Sequence, residues 1–149
     1  MISMTKSSTN RNYEYKVRDH LLDNGFSMLI RAASSGQFSP DMVAVGKKII
    51  LVEVKSIRNY TYRPTNSPAD RDQYDRYRQT YKDTGHPVYY AVCFKGVGKI
   101  PATMLFFKPD YNYEKYPAFS VYPEKTKHAD TYEIQDGELV MKRTWEWMV

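Results

Sequence analysis

Residues 42–54 constrain this chain more than any other stretch. Met42-Val-Ala-Val45 and Ile49-Ile-Leu-Val-Glu53-Val54 are short apolar runs rich in β-branched residues, separated by Gly46-Lys47-Lys48. Runs of this kind around a glycine-containing turn form a β-hairpin. A three-residue loop sets Val45 opposite Ile49 and carries Asp41 opposite Glu53. A two-residue loop moves Asp41 one position away. Pro40 cannot donate to a ladder, so it marks the place where the strand opens into a loop. Side chains alternate along a strand, so Glu53 and Lys55 share one face and Val54 points to the other. Asp41, Glu53 and Lys55 therefore converge at one end of a twisted hairpin.

Charge in so apolar a run needs a partner, because burying it alone costs on the order of several kcal/mol. A bound cation supplies one. Two carboxylates, waters and a phosphate oxygen suit Mg²⁺ or Mn²⁺, hard ions that prefer oxygen ligands. Such an ion polarises a phosphodiester and acidifies an attacking water. Lys55 adds a positive charge that orients the water or stabilises developing negative charge. The plainer alternative is an exposed hairpin end with a Glu–Lys pair. It leaves unexplained why Lys55 ends an apolar run on the face that carries Glu53.

A length of 149 residues fits one domain with a sizeable core. No run approaches the ~20 apolar residues of a membrane span. The N-terminus shows no apolar signal core, so an intracellular, cytoplasmic and DNA-associated protein is expected. The single cysteine, Cys93, excludes an intrachain disulfide and a cysteine-based zinc site. His20, His86 and His128 show no ligand spacing. A net charge of +5 favours an anionic partner, nucleic acid among them. The 14 tyrosines suit base stacking, but they also fill half-wet surfaces and interfaces. The structural role is expected for most of them.

In chain order, residues 1–9 are Ser/Thr-rich and expected to be loose. Asn10 is a candidate N-cap for a helix running to about Asp23, with Tyr13, Val17 and Leu21 as its apolar stripe and Gly25 as its C-cap. Glu14 beside that stripe is either a first-turn acid favoured by the helix dipole or a third carboxylate looking into the site. Residues 26–30 read as a strand. The small-residue loop from Arg31 to Ser39 contains Ser34, Ser35 and Gly36, and suits either close approach to a phosphate backbone or a plain polar connection. Arg58 and Arg63 alternate with Tyr60 and Tyr62 in a polar connection, a pattern of nucleic-acid contact or of a solvated loop. Ser67-Pro68 starts a second helix that ends before Gly85, with Tyr74, Tyr77 and Tyr81 facing inward. Residues 88–94 are a buried strand and 100–107 a further strand. Residues 110–127 are rich in Tyr and Pro and give no clear period. Residues 132–134 and 139–147 form a terminal hairpin about Gln135-Asp136-Gly137, with Trp145 and Trp147 on one face. The whole is a single α/β domain around a mixed sheet flanked by helices.

These residues resemble the archaeal-type Holliday junction resolvases, of the restriction-endonuclease-like PD-(D/E)XK nuclease superfamily, in which phage members also occur. The resemblance runs from Glu14 to about Lys108. It is carried by Glu14 with Gly25-Phe26 at fixed spacing, Arg31, Ser35-Gly36, Pro40-Asp41, Glu53-Val54-Lys55, Gln73 with Gly85 twelve positions on, and residues 89–94 leading into Lys95. It implies that Glu14 joins Asp41 and Glu53 as a metal carboxylate, that the Val54 carbonyl adds a ligand, and that Lys55 is catalytic. It implies that Ser35 approaches the scissile strand, that Arg31 contacts DNA near it, and that Gln73 supports the site. It further implies a homodimer that makes paired nicks in branched DNA. Beyond about Asp110 the match ends, and residues 110–149 form a divergent Tyr/Trp-rich extension.

The expected function is a Mg²⁺-dependent endonuclease resolving four-way junctions. A less selective restriction- or repair-type nuclease is compatible with the same active site. A non-catalytic DNA-binding module has no physical use for converging acids near phosphates.

Overall fold

The computed structural model describes residues 2–31 and 39–145, with side chains from residue 12 onward in those spans. The elements are α1 (Ile2–Asp23), β1 (Met28–Arg31), β2 (Met42–Val45), β3 (Ile49–Ile57), β4 (Thr61–Tyr62), α2 (Pro68–Thr84), β5 (Val88–Lys95), β6 (Ala102–Pro109), β7 (Phe119–Ser120), β8 (Ala129–Gln135) and β9 (Glu138–Arg143). Seven strands form a sheet in the order β1-β2-β3-β5-β6-β8-β9, and β4 pairs with β7 in a separate ribbon. β3 and β5 are parallel, as a strand–helix–strand crossover through α2 requires, and their neighbours are antiparallel. The mixed sheet between helices agrees with the sequence reading.

Strand alternation divides the core in two. Ile50 and Val52 of β3 point to the face where Val17 and Leu21 of α1 pack with Ala91, Cys93 and Phe106. Leu51 and Ile57 point to the other face, where Tyr74 and Tyr77 of α2 pack on Val88, Tyr90, Val92 and Phe94. Burying each large apolar side chain stabilises by roughly 1.5–3 kcal/mol. Five of the 14 tyrosines are core residues: Tyr62, Tyr74, Tyr77, Tyr90 and Tyr111 are all buried.

α2 begins and ends where its signals stand. Ser67 Oγ accepts from Asp70 N at 3.1 Å, Pro68 takes the first turn, and Gly85 N bonds to the Tyr81 carbonyl at 2.7 Å. α1 departs from expectation. Residues 2–9 lie within it instead of forming a loose tail, and Asn10 is interior. Neither Gly nor Pro occurs between Ile2 and Asp23, so nothing in the chain stops the helix near Asn10. Strand β1 starts at Met28 because Phe26 still belongs to the helix end, its N–H bonded to the Leu21 carbonyl at 3.1 Å.

The stretch without a readable period is packed by its aromatics. Tyr111, Phe119 and Val121 enter the α2-side core, and Phe119 stacks on Phe107 with centroids 4.9 Å apart. β8 and β9 are the expected terminal hairpin. Asp136 and Gly137 both have positive φ, 52° and 77°, the conformation of a tight two-residue turn. Trp147 lies outside the described residues. No helix among the described residues is long and apolar enough to cross a membrane.

Candidate active site

The β2–β3 register decides where the charges go. Val45 pairs with Ile49 and Met42 with Val52, so the loop has three residues and Asp41 falls opposite Glu53. β2 stops one residue short of Asp41, and the carboxylate takes over from the ladder: Val54 N donates to Asp41 Oδ2 at 2.8 Å. The N–H and C=O of one strand residue point toward the same neighbour. The Val54 carbonyl therefore faces the opening beyond the end of β2, on the side of Asp41.

Glu53 is 4% exposed and pairs across the sheet with Tyr90. Tyr77 donates from its hydroxyl to Glu53 Oε1 at 2.6 Å, and the same hydroxyl is 3.2 Å from the Ser39 carbonyl. Lys55 Nζ is 3.5 Å from Glu53 Oε2 and 3.1 Å from Asp70 Oδ1. Its ammonium also lies 6.0 Å from the Tyr62 ring centroid. Burial, and then the nearby Asp41 charge, push the Glu53 carboxyl up to about 8, against the smaller opposing effects of Lys55 and the Tyr77 hydrogen bond. Burial followed by the Glu53 charge also raises the Tyr77 phenol.

α2 supplies the wall of this site. Asp70, Gln73 and Tyr77 are spaced three and four residues apart, so they share one helix face. The first holds Lys55 and the last holds Glu53. Between them, Gln73 Oε1 is buried and has no hydrogen-bond partner among the described residues. Asp70 and Tyr77 were not expected as site residues. Asp70 reads in sequence as a first-turn helix acid and Tyr77 as part of an apolar stripe. The usable signal was their spacing with Gln73 on a single helix face.

The remaining candidates lie elsewhere. Glu14 sits on α1, with Oε1 3.2 Å from Arg31 Nη2, and the Arg31 guanidinium also lies 4.9 Å from the Tyr15 ring. Arg58 and Arg63 are exposed on either side of β4. Tyr62 between them is buried, which rules it out as a base-contacting or solvated residue. Ser34 and Ser35 lie outside the described residues. Among the described residues no group of three His, Cys, Asp or Glu side chains is close enough to hold a metal ion. The structure thus brings together Asp41, Glu53 and Lys55, with Glu14 held by Arg31.

A divalent cation suits this donor set. Two neighbouring carboxylates, one of them buried, and a carbonyl beyond a strand end are hard oxygen donors. Burial and then the Asp41 charge raise the Glu53 carboxyl, and a bound cation offsets both. The unpartnered Gln73 oxygen is an acceptor open to a water or another donor in the site.

Neither a protein-family model nor a curated protein sequence matches this chain. Among solved structures, it is similar to Hjc of Archaeoglobus fulgidus, a Holliday junction resolvase from an archaeal hyperthermophile. The TM-score is 0.53 and the identity 22%, over 76% of this chain and 84% of that one. The chain has the restriction-endonuclease-like fold in common with that resolvase, a mixed sheet flanked by helices. In this chain the acidic centre lies at the end of the β2–β3 hairpin.

Proposed function

We propose that this chain is a metal-dependent endonuclease of branched DNA, resolving four-way junctions by paired phosphodiester hydrolysis as a homodimer. The observation that carries the proposal is the Asp41–Glu53 carboxylate pair with Lys55 Nζ 3.5 Å from Glu53, on a fold shared with a resolvase.

Asp41, Glu53 and the Val54 carbonyl would hold Mg²⁺, with Mn²⁺ as a substitute. Glu14 joins them on release from Arg31. The bound ion supplies Lewis-acid polarisation of the phosphodiester and acidifies a water. The protein's own groups do the rest. Asp41 is fixed by the Val54 amide and Glu53 by Tyr77. Lys55, placed by Asp70 and Glu53, carries an ammonium that orients the water or meets negative charge on the phosphate. Gln73 offers its free oxygen to that water. Ser35 would approach the scissile strand, Ser34 would contact DNA beside it, and Arg31, Arg58 and Arg63 would bind phosphates.

An exposed apolar row supports pairing of two copies. Met28, Ile30 and Ile49 are 55%, 54% and 68% exposed. The register puts them on the face of the sheet that carries Glu53. A cytoplasmic, DNA-associated protein of one domain is consistent with this chemistry.

The test is incubation with a labelled immobile four-way junction and an equal-length duplex, with Mg²⁺ and with EDTA. Symmetric, metal-dependent nicks confined to the junction are expected. Asp41→Asn should stop cutting and leave junction binding intact. Equal cutting of both substrates would replace the resolvase with a less selective nuclease. Undiminished cutting by Asp41→Asn would remove the proposed metal site.

A further inference from the structure

The segment beyond Asp110 builds a surface beside the acidic centre that the cutting chemistry does not use. β4 and β7 pair through Thr61 with Ser120 and Tyr62 with Phe119, and Val121 N donates to the Tyr60 carbonyl at 2.9 Å. Tyr62 and Phe119 anchor this ribbon inward, both buried, with ring centroids 6.1 Å apart. Tyr60 behaves differently. It is 43% exposed, and it stacks on Tyr122 with centroids 5.9 Å apart and planes at 28°. Lys125 Nζ lies 5.4 Å from the Tyr122 ring centroid. Arg58 and Arg63, close along the chain on either side of Tyr60, are exposed.

Packing does not account for Tyr60. Tyr62, Tyr74 and Tyr90 fill the core and are buried, whereas Tyr60 has one face on Tyr122 and an open side to solvent, with Lys125 against the Tyr122 ring and the exposed Arg58 and Arg63 two and three residues away in the chain. A half-open aromatic ring among cations is the arrangement that takes single-stranded nucleic acid: a base stacks on the ring and the flanking phosphates meet the charges. A continuous duplex offers no free base face, because its bases stack on one another. The platform also lies close to the acidic centre. Tyr62, two residues on, has its ring 6.0 Å from Lys55 Nζ, and two residues of extended chain span only about 7 Å.

We propose that the Tyr60–Tyr122 pair is a stacking platform for an unpaired DNA base next to the scissile phosphate, with Arg58, Arg63 and Lys125 neutralising the phosphates on either side. This rests on reading the acidic centre as a DNA-cutting site. It adds a substrate feature: branched DNA is distinguished from duplex by an unstacked base at the branch, read by the β4–β7 ribbon.

The test is fluorescence anisotropy with a labelled oligothymidine and an equal-length duplex, in EDTA so that no cutting occurs. Tyr60→Ala should weaken oligothymidine binding roughly tenfold, the loss of about one stacked base, and leave duplex binding unchanged. Tyr60→Trp should restore single-strand binding, which also shows that the ribbon tolerates substitution. Arg58→Gln and Arg63→Gln should each flatten the dependence of log affinity on log salt by about 0.7. Wild-type affinity of Tyr60→Ala for oligothymidine, or an equal loss for duplex, overturns the platform. The two readings fail separately. A protein that cuts junctions but binds oligothymidine without Tyr60 loses only the platform. One that binds oligothymidine through Tyr60 but cuts nothing loses only the nuclease.

Discussion

The Tyr77 hydroxyl lies 2.6 Å from Oε1 of Glu53, so a helix on one side of the sheet fixes a carboxylate carried by a strand. Strand β3 places Glu53 on the correct face but leaves its side-chain torsions free. The phenol removes that freedom in a place where water cannot substitute, since both residues are buried. Tyr77→Phe deletes this one bond and keeps the ring packing. Leaving a buried acceptor short of a partner should cost about 1–3 kcal/mol of stability. Misplacing a metal carboxylate by a fraction of an ångström should slow cutting on the order of tenfold to a hundredfold. Denaturant midpoints and single-turnover cleavage measure the two effects. An unchanged cleavage rate would limit Tyr77 to packing.

The Glu53 carboxyl gives the metal-free protein a defined pH dependence. Its folded value, about 8, lies above the ordinary 4.5, so the native state holds a proton that the unfolded chain releases between those values. The Glu53 contribution is therefore fully present below pH 4.5 and is lost as pH rises through about 8. Thermal melts of the metal-free protein should show this decline, and Glu53→Gln should abolish it. A divalent ion competes with the proton, so added Mg²⁺ should raise the melting temperature more at the alkaline end of the range than at the acid end. Equal stabilisation of wild type and Glu53→Gln by Mg²⁺ would place the ion elsewhere.

The centre of this molecule was legible because its signals are local. The Gly-Lys-Lys turn narrows the β2–β3 loop to two or three residues, and the three-residue register of the structure sets Asp41 opposite Glu53. Ser67, Pro68 and Gly85 bound α2 by rules that need no tertiary partner. The features that escaped depend on contacts between distant segments. Asp70 and Tyr77 become site residues only when the crossover lays α2 over β3. Tyr62 looks like a surface tyrosine between arginines until Phe119, far along the chain, covers it. Glu14 shows the converse: its place on α1 was readable, but its pairing with Arg31 follows from how α1 meets β1.

Gly46 marks a place where three turns meet, also invisible in the sequence. Lys47 N donates to the Gly137 carbonyl at 2.8 Å, and Gly137 N donates to the Asn24 carbonyl at 2.7 Å. The end of α1, the β2–β3 turn and the β8–β9 turn are thereby tied together. A Cβ on Gly46 would collide with the Gly137 carbonyl oxygen and come within 2.8 Å of the Phe26 ring. Gly46→Ala should therefore destabilise by about 2–3 kcal/mol, the upper range for overpacking. Gly85→Ala is the control. Nothing lies within 4 Å of its added carbon, so only the strain of φ +77° remains, a cost of about 1–2 kcal/mol. Chemical denaturation of both variants should rank Gly46→Ala as the more damaging. The opposite order would mean that the three turns separate without cost.

Asp70 provides the sharpest test of how Lys55 is placed. The ammonium is 3.1 Å from Asp70 and 3.5 Å from Glu53, with its side chain 16% exposed. A metal at Glu53 would draw that carboxylate toward itself, leaving Asp70 as the group that holds the lysine. Asp70→Asn keeps the shape and removes the charge. It should lower kcat roughly tenfold with little change in KM, because Lys55 would act on the reacting phosphate and not on DNA affinity. Some stability is lost as well, since Asp70 is the first-turn acid of α2, but this should be only about 0.3–1 kcal/mol. The two roles separate in a double-mutant cycle. If Asp70 works through Lys55, Asp70→Asn should have almost no further effect on cutting by Lys55→Ala, while its effect on stability persists. Full additivity in the cleavage rate would show that Asp70 serves the helix and leaves the lysine to Glu53.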